Sequence, residues 1–282
     1  MGLRITSSTP LAAQRSILLQ QARLQSSLQK LSSGLKINSA ADDPAGLAIS
    51  EQLSANIAST NAMATNTSRA VNVVQTAEGA LAEVNTQLAQ IRGLVVQAGN
   101  QALLGETGLQ AVQDQIAGGI ASINRIAETT QFAGKPLLNG EFQNEEFAIA
   151  EGEPARLTIP NVAANEIGRD VPNESNFRSL AGIDVRTPQG AADALRVVDA
   201  AINDVSRVRN DLGSFQTNVL ETASRNLEAN RGNLLFSQST IRDTDYAGTS
   251  GEAVLSQIRL QASVMAQNAA TRRTGILLDL MG

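Results

Sequence analysis

The sequence predicts a mainly α-helical protein: a long antiparallel helical bundle or coiled coil with a small β-hairpin region in the middle of the chain. Phe, Tyr and Trp make up only 2% of the 282 residues, so burial depends on the aliphatic residues that pack helix against helix. Apolar residues also recur at steps of three and four over long stretches. Capping side chains precede proline at Thr9-Pro10, Asp43-Pro44 and Thr187-Pro188.

The first helix is predicted to begin at Thr9 and to end at Gly34. Its apolar residues follow one another at steps of seven, four, three and four, which is typical of a narrow coiled-coil seam. They are Ile17, Leu24, Leu28, Leu31 and Leu35. Glycine readily takes the left-handed conformation that ends helices, which favours a break at Gly34.

A second helix is predicted from Asp43-Pro44 to about Gly99, and at 1.5 Å per residue it would be roughly 80 Å long. Its stripe consists of Ala70, Val74, Ala77, Leu81, Val84, Leu88, Ile91 and Val95. Asp42 adds negative charge beside the positive helix N-terminus. Asp42 and Asp43 could instead be a carboxylate pair for acid/base or metal chemistry, but the capping role already explains both residues.

A third helix is predicted from about Thr107 to Thr129, and its Gly118-Gly119 pair suggests the close approach of another backbone. Residues 147–149 and 157–159 are predicted to form the strands of a hairpin. Helix resumes at Thr187-Pro188 and continues toward Thr240. Its predicted stripe is Leu195, Val198, Ile202, Val205, Leu212, Phe215, Val219 and Leu227.

A last helix is predicted from about Gly251 to Leu280. Its apolar residues include Val254, Ile258, Met265, Ile276, Leu277 and Leu280. A short middle segment lets the two helical halves of the chain run back antiparallel. The apolar stripes could close a bundle within one chain or join copies of the chain. We expect a closed bundle for the inner helices and an assembly interface for the two terminal seams, which are narrow and rich in Gln, Ser and Ala.

Composition excludes several classes of function. The chain has neither Cys nor His, which removes thiolate nucleophiles, Cys or His metal sites and every catalytic pair that needs histidine. We therefore expect no catalytic residue, no metal and no cofactor. A net charge of −5 without a basic stripe argues against a nucleic acid partner. We also expect no membrane insertion and no cleaved signal peptide, because no apolar run of suitable length is present.

Several segments, in order along the chain, resemble bacterial flagellin. The longest match is LSSGLKINSAADDPAGLAIS at residues 31–50. Others are VNVVQTAEGAL at residues 71–81, INRIAETTQFAGKPLLNG at 123–140, STIRDTDYA at 239–247 and SVMAQN at 263–268. Because these matches cover most of the helical chain, the resemblance is specific.

The resemblance implies a division into five segments that together form an inner and a middle domain. Residues 1–42 would be the N-terminal part of the inner, channel-lining domain with its spoke, 43–131 the N-terminal helices of the middle domain, 132–187 a short β-containing variable region, 188–240 the C-terminal helices of the middle domain, and 241–282 the C-terminal part of the inner domain. The variable region is short for this family, so we expect a thin and smooth filament.

As function, the resemblance implies a non-enzymatic structural subunit that polymerises into the bacterial flagellar filament for swimming. In this family the termini are disordered in the free subunit, fold on assembly and line the central channel. The implied partners are copies of the chain, a secretion chaperone, hook-associated proteins and cap proteins. The implied location is the extracellular filament, after export by the flagellar type III apparatus. A hook–filament junction protein of the same apparatus is the alternative.

The resemblance also concerns an animal Toll-like receptor that senses flagellin. The positions that match its contact patch are Gln90, Leu94 and Asp114, where the family motif has Arg, Leu and Glu. Gln90 and Gly93 stand where the family has charged residues. We therefore expect weakened recognition by this receptor.

Overall fold

A computed structural model describes residues 8–150, 152 and 154–281, without the side chains of residues 8–11, 13, 101–103, 270 and 273–281. Six α-helices make up most of this part of the chain. They are α1 (Ser8–Ser33), α2 (Pro44–Ala98), α3 (Gln101–Thr129), α4 (Pro188–Phe215), α5 (Glu221–Arg242) and α6 (Tyr246–Met281). The predicted mainly α-helical fold is confirmed.

Four short strands between α3 and α4 form two antiparallel hairpins. Strand β1 (Gln131–Phe132) pairs with β2 (Lys135–Pro136), and β3 (Glu145–Phe147) pairs with β4 (Ala155–Leu157). The small β-hairpin region in the middle of the chain is therefore confirmed.

The predicted strand positions need a correction. Residues 147–149 and 157–159 were expected to pair, but the second hairpin lies two residues earlier on each side, and β1–β2 was not predicted. The paired strands are rich in charge, and the carboxylate of Glu146 accepts a hydrogen bond from Arg156 across them at 2.8 Å. A search for apolar strands misses such a hairpin, because its register is held by an ion pair on an exposed face.

The chain separates into two compact units. The terminal unit comprises Met1–Ala58 and Arg231–Gly282, and the central unit comprises Ser59–Asn230. Helices α1 and α6 belong to the terminal unit, whereas α3, α4 and both hairpins belong to the central unit.

The central unit has an apolar core to which α2, α3 and α4 contribute. The predicted stripe of α2 from Ala70 to Val95 is confirmed, because every member is buried. On α3, Ile116 and Ile123 are fully buried, whereas Ile120 is half-buried at the edge of the core. Burying a large aliphatic side chain contributes roughly 1.5 to 3 kcal/mol, so this core is the main source of stability for the unit.

Two helix starts differ from the prediction. Ser8 is already helical, so Thr9 lies inside the first turn of α1 and does not precede it. Helix α6 begins at Tyr246, five residues before the predicted Gly251. The reason is a cap, since Oδ1 of Asp245 accepts the backbone N–H of Gly248 at 3.1 Å. The cap of α4 is as predicted, with Thr187 Oγ1 accepting the N–H of Gly190 at 3.0 Å.

Helix α3 is divided at Gly105, which has φ 61° and ψ 177°. Its long second part begins just after Gly105, close to the predicted start near Thr107, and the short first part from Gln101 was not predicted. Of the Gly118-Gly119 pair, only Gly119 makes a close contact, and its neighbour is a side chain. A Cβ atom at Gly119 would lie 2.9 Å from Cγ1 of Ile91 on α2, while Gly118 faces open space.

A π-helical turn (Gln216–Leu220) joins α4 to α5, which the sequence pattern did not reveal. The predicted stripe is also displaced at this point. Leu220 is fully buried, whereas the predicted Phe215 and Val219 are half-buried. At the start of α4 the core face is formed by Ala194 and the pair Val197 and Val198, and the predicted Leu195 and Ile202 lie at its edge.

Candidate assembly interface

Helices α1 and α6 pack against each other within the terminal unit. Small residues are the ones buried where they meet, namely Ser27 on α1 with Ala253 and Ser256 on α6. Farther along, the hydroxyls of Ser16 and Ser263 are 3.5 Å apart. Small side chains let two helix backbones approach closely but bury little apolar area. Small residues are therefore the most deeply buried ones in this pairing, and the half-buried Leu24, Leu31 and Leu260 lie on the same helix faces.

The predicted interface residues divide into half-buried ones beside this line of small residues and exposed ones outside it. On α1, Leu28 is 52% exposed, and its stripe partners Ile17, Leu24 and Leu31 are half-buried, as is Leu35 just beyond the helix. On α6, Met265 is 69% exposed, and Val254 and Ile258 are also exposed. The side chains of Ile276, Leu277 and Leu280 lie outside the described residues. Their role in assembly stays a prediction.

Further exposed apolar residues in the terminal unit were missed. They are Leu18, Leu19, Ile49, Leu235, Phe236, Tyr246, Leu255 and Val264. The sequence indicates the exposure of some of them, because residues 17–19 and 234–236 are runs of three apolar residues. Successive helical residues are about 100° apart, so a run of three cannot turn wholly to one side. Among the described side chains of the central unit, one large apolar residue, Val96, is as exposed as these residues of the terminal unit.

Backbone hydrogen bonds join the segment between α1 and α2 to the junction of α5 and α6. Gly34, with φ +73°, ends α1 as predicted, and its carbonyl accepts the N–H of Thr244 at 2.9 Å. Two residues on, the N–H of Lys36 donates to the carbonyl of Arg242 at 2.6 Å. Any residue can form these backbone hydrogen bonds whatever its side chain, so no sequence motif predicts them.

Asp43 and Asp42 serve different parts of this segment. Oδ1 of Asp43 accepts the N–H of Gly46 at 2.9 Å and caps α2, whose first residue is Pro44. Asp42 was expected to act beside the same helix end, but its Oδ2 accepts the N–H of Ser39 at 2.9 Å and that of Asn38 at 3.1 Å. These two backbone bonds, that of Ser39 first, lower the pKa of Asp42. Its carboxylate therefore holds the turn of the chain between α1 and α2 and does not extend the cap.

Ile37 and Gly46 lie close together at the start of α2, and neither was among the predicted site residues. Ile37 is buried, and a Cβ atom at Gly46 would lie 2.7 Å from its Cδ1. The burial of Ile37 could have been predicted, because it is the single apolar residue in the polar run from Lys36 to Ser39. The segment between α1 and α2 thus has a small apolar contact of its own beside the capped start of α2.

Polar contacts join the start of α2 to the end of α5 in the terminal unit. Nε2 of Gln238 donates to Oγ of Ser54 at 2.6 Å and to the carbonyl of the buried Ser50 at 3.5 Å. Arg242 Nη1 lies 3.3 Å from Oε1 of Glu51. These bonds orient the two helices while Phe236 on α5 stays 76% exposed.

The three positions that match the receptor patch belong to the central unit. Gln90 and Leu94 line one shallow cavity of about 290 Å³ beside Gly118 and Gly119, and Gln90 is exposed. Asp114 does not line this cavity, and its Oδ1 accepts a hydrogen bond from Nε2 of Gln110 at 2.9 Å. The structure therefore brings two of the three positions together.

The described residues contain no group of three or more His, Cys, Asp or Glu that could hold a metal ion. Asp243 and Asp245, two acidic residues close together in the sequence, each accept a hydrogen bond within the chain. Oδ2 of Asp243 accepts the hydroxyl of Ser239 at 2.5 Å, and Asp245 caps α6. Over the same part of the chain, no helix has an apolar stretch long enough to cross a membrane.

Comparison with known proteins gives two family matches along the chain. The model of the bacterial flagellin N-terminal helical region matches residues 6–143, and that of the C-terminal helical region matches residues 195–281. The flagellin of Bacillus subtilis (strain 168) is 36% identical over 281 residues, covering 91% of this chain and 92% of the relative. The flagellar filament 30.7 kDa core protein of Treponema maltophilum is 32% identical, covering 94% and 95%.

Solved structures give a more distant match. FliC from Burkholderia pseudomallei superposes with a TM-score of 0.45 and 18% sequence identity, covering 52% of this chain and 98% of that chain. The family matches and the full-length relatives together are sufficient for the assignment. The chain belongs to the bacterial flagellin family.

Proposed function

We propose that this flagellin polymerises as the structural subunit of the flagellar filament, outside the cell, for swimming. The exposure of large apolar side chains on α1 and α6 is the observation that carries this proposal. Where the two helices pair, small residues are the most deeply buried, and Leu28, Val254 and Ile258 stay exposed for contacts with other copies. The relatives support the same function, since they are named flagellin or filament core protein. Neither name favours the hook–filament junction alternative.

As mechanism, each subunit adds at the tip of the filament, and its terminal helices fold against neighbouring copies. Each large apolar side chain that becomes fully buried contributes roughly 1.5 to 3 kcal/mol. Head-to-tail contacts of this kind do not close on themselves, and repetition yields an open helical polymer. Residues 1–42 and 241–282 form the inner domain that lines the channel, residues 43–131 and 188–240 form the middle domain, and 132–187 lie outermost.

The remaining parts of the proposal rest on the resemblance to the family. Export uses the flagellar type III apparatus without a cleaved signal, and the partners on the way are a secretion chaperone, hook-associated proteins and cap proteins. The chain is not an enzyme, which its lack of His and Cys supports. Detectable turnover in a screen of hydrolase substrates would contradict this part.

The charge-carrying double variant Leu28→Asp/Leu31→Asp tests the assembly interface. Leu28 is exposed and Leu31 is half-buried, and both belong to the terminal unit, so the variant should keep the folded central unit. It should lose filaments, because a carboxylate buried between copies is strongly destabilising. Electron microscopy and sedimentation measure the filaments, and circular dichroism measures the fold. The control Gln29→Asp changes an exposed polar residue of the same helix and should polymerise normally. Normal filaments from the double variant would refute the proposed interface.

Recognition by the animal flagellin-sensing Toll-like receptor is weakened, we propose, because Gln90 lacks the positive charge of the family motif. Its exposure on α2 supports this, since a receptor could reach the side chain. Cells that report the signalling of this receptor should respond less to this subunit than to a flagellin with Arg at the position. Gln90→Arg should raise the response, and a full response to the unmodified subunit would contradict the proposal.

A further inference from the structure

The central unit contains a groove lined by aromatic rings that the functions above do not use. It lies between α2 and the two hairpins and has a volume of about 500 Å³. This ring groove is lined chiefly by Asn66, Arg69, Phe132, Lys135, Phe142 and Phe147. It contains three of the six Phe residues of the chain, although aromatic residues are only 2% of the sequence. Such a concentration of rings in a concave site is typical of a binding pocket with an apolar floor.

The floor of the ring groove is apolar and held in place by cationic and aromatic contacts. The rings of Phe142 and Phe147 have centroids 6.5 Å apart and are tilted by 34°. Nζ of Lys135 lies 5.5 Å from the centroid of the Phe142 ring and forms an ion pair with Glu145. Phe132 and Phe147 are only partly buried, so their rings are accessible to a ligand. An aromatic side chain would add ring contacts at the edge of this cluster.

The rim of the groove carries one positive charge without a counter-charge. Lys135 is paired with Glu145, and Glu146 is paired with Arg156 at 2.8 Å. Arg69 is exposed and forms no ion pair within the described part of the chain. The groove therefore suits an aromatic group that has a carboxylate beside it.

A segment with this chemistry is exposed in the terminal unit. Tyr246, the single tyrosine of the chain, is 67% exposed and follows the exposed carboxylates Asp243 and Asp245. One oxygen of each carboxylate accepts a hydrogen bond, from the Ser239 hydroxyl and from the Gly248 N–H respectively. A carboxylate has a second oxygen, which can accept from a partner.

We propose that the ring groove of one copy binds the Asp243–Tyr246 segment of a second copy, with the Tyr246 ring against the phenyl rings and a carboxylate on Arg69. Charge selects this segment over the more exposed Phe236, whose neighbours Leu235 and Ser237 are uncharged. Groove and segment are different surfaces, so the contact is head-to-tail and repeats along a polymer. The inference rests on the proposed polymerisation and gives it a specific contact.

The fluorescence of Tyr246 tests this contact directly, because the chain has one Tyr and no Trp. Acrylamide should quench the tyrosine of the monomer readily and that of filaments several-fold less. Arg69→Glu should weaken polymerisation at least tenfold in critical concentration, and the tyrosine of its remaining filaments should stay open to quenching. The control Arg125→Glu reverses an exposed arginine on α3 that does not line the groove, and it should behave like the parent.

Cysteine cross-linking provides the second measurement, since the chain has no Cys. Ala148 lines the groove and Ala247 follows Tyr246, and both are exposed. Filaments of the variant Ala148→Cys/Ala247→Cys should give a ladder of covalent oligomers on oxidation, in denaturing gels without reductant. The control Ala121→Cys/Ala247→Cys places one thiol on α3 outside the groove and should give none.

Three negative results are possible, and they do not all have the same meaning. Filaments of the parent with a freely quenched tyrosine, and no ladder from the groove pair, would overturn the ring-groove contact and leave the proposed function intact. A parent chain that forms no polymer under any assembly condition would instead overturn the proposed function, and this inference with it. Equal critical concentrations for Arg69→Glu and Arg125→Glu would also overturn the contact.

Discussion

Asp193 is a carboxylate buried in the central unit that holds the loop preceding α4. Its Oδ2 accepts the hydroxyl of Ser175 at 2.7 Å and the N–H groups of Ser175 and Glu174 at 3.0 and 3.1 Å. The Ser175 hydroxyl, followed by the Ser175 N–H, lowers the pKa of Asp193 below its ordinary value of 3.8. The loop is thus held by an ionised group at neutral pH.

The lowered pKa of Asp193 predicts a loss of stability in acid. A lowered folded-state pKa contributes stability above the unfolded pKa, and this contribution is lost as the pH falls through the folded value. Asp193→Asn should therefore lower the melting temperature clearly at about pH 7, and its difference from the parent should shrink below about pH 4. Calorimetry over this range measures both. A difference that did not change with pH would show that the ionised form is not what stabilises the loop.

The neighbouring glycines of α3 give a second prediction at this scale. A methyl group at Gly119 would press on Ile91, so Gly119→Ala should destabilise the central unit by about 1 to 3 kcal/mol. Gly118→Ala meets open space and should stabilise the helix by up to roughly 1 kcal/mol. Urea unfolding of the two variants is a matched comparison within one helical turn. Equal effects would mean that Ile91 moves aside.

At the scale of elements, the π-helical turn between α4 and α5 explains an irregular core face. Val205, Leu212, Leu220 and Leu227 are buried and follow one another at steps of seven, eight and seven. In a regular α-helix the extra residue would rotate everything after Leu212 by about 100°. A π turn takes in one more residue per turn, so both helices keep their apolar faces toward the core.

This explanation predicts which deletion the helix tolerates. Deleting the exposed Thr217 should convert the π turn to α-helix, restore regular spacing and leave cooperative unfolding of the central unit intact. Deleting the exposed Arg207 from regular α4 should rotate the following core residues away and abolish cooperative unfolding. Thermal unfolding followed by circular dichroism distinguishes the two. Equal damage by both deletions would argue against a register role for the turn.

At the scale of the whole molecule, the two units use their apolar residues differently. The central unit buries large aliphatic residues such as Ile116 in its own core. In the terminal unit the most deeply buried residues of the paired helices are small, and large residues such as Val254 stay exposed. Stability and assembly should therefore be separable by mutation.

Two substitutions test this separation. Ile116→Ala should lower the free energy of unfolding of the monomer by about 2 to 5 kcal/mol, because it opens a cavity in the core. Val254→Ser should change monomer stability by no more than about 0.5 kcal/mol but should raise the critical concentration for filament assembly. Denaturant unfolding and sedimentation measure the two quantities. A large loss of monomer stability in Val254→Ser would indicate that its side chain already packs within one chain.

The sequence by itself determined where most helices lie and what family the chain resembles. Periodic apolar spacing is a local property, and it located the buried stripe of α2 correctly from Ala70 to Val95. Caps are equally local, which is why Thr187 was placed correctly. The charged hairpin and the π turn were missed, because their register depends on partners distant in the chain or on an added residue that no apolar count reveals.

Only the tertiary structure decided which faces of the terminal helices meet. The leucine stripe of α1 was the obvious candidate by spacing, yet its Leu24 and Leu31 are only half-buried, its Leu28 is exposed, and Ser27 is the buried residue among them. The bonds from Lys36 and Thr244, and the gathering of Phe132, Phe142 and Phe147 into one groove, were likewise invisible in the sequence. The physical reason is the same in each case. Periodicity shows that a helix has an apolar face, but the competing contacts of the folded chain decide what covers that face.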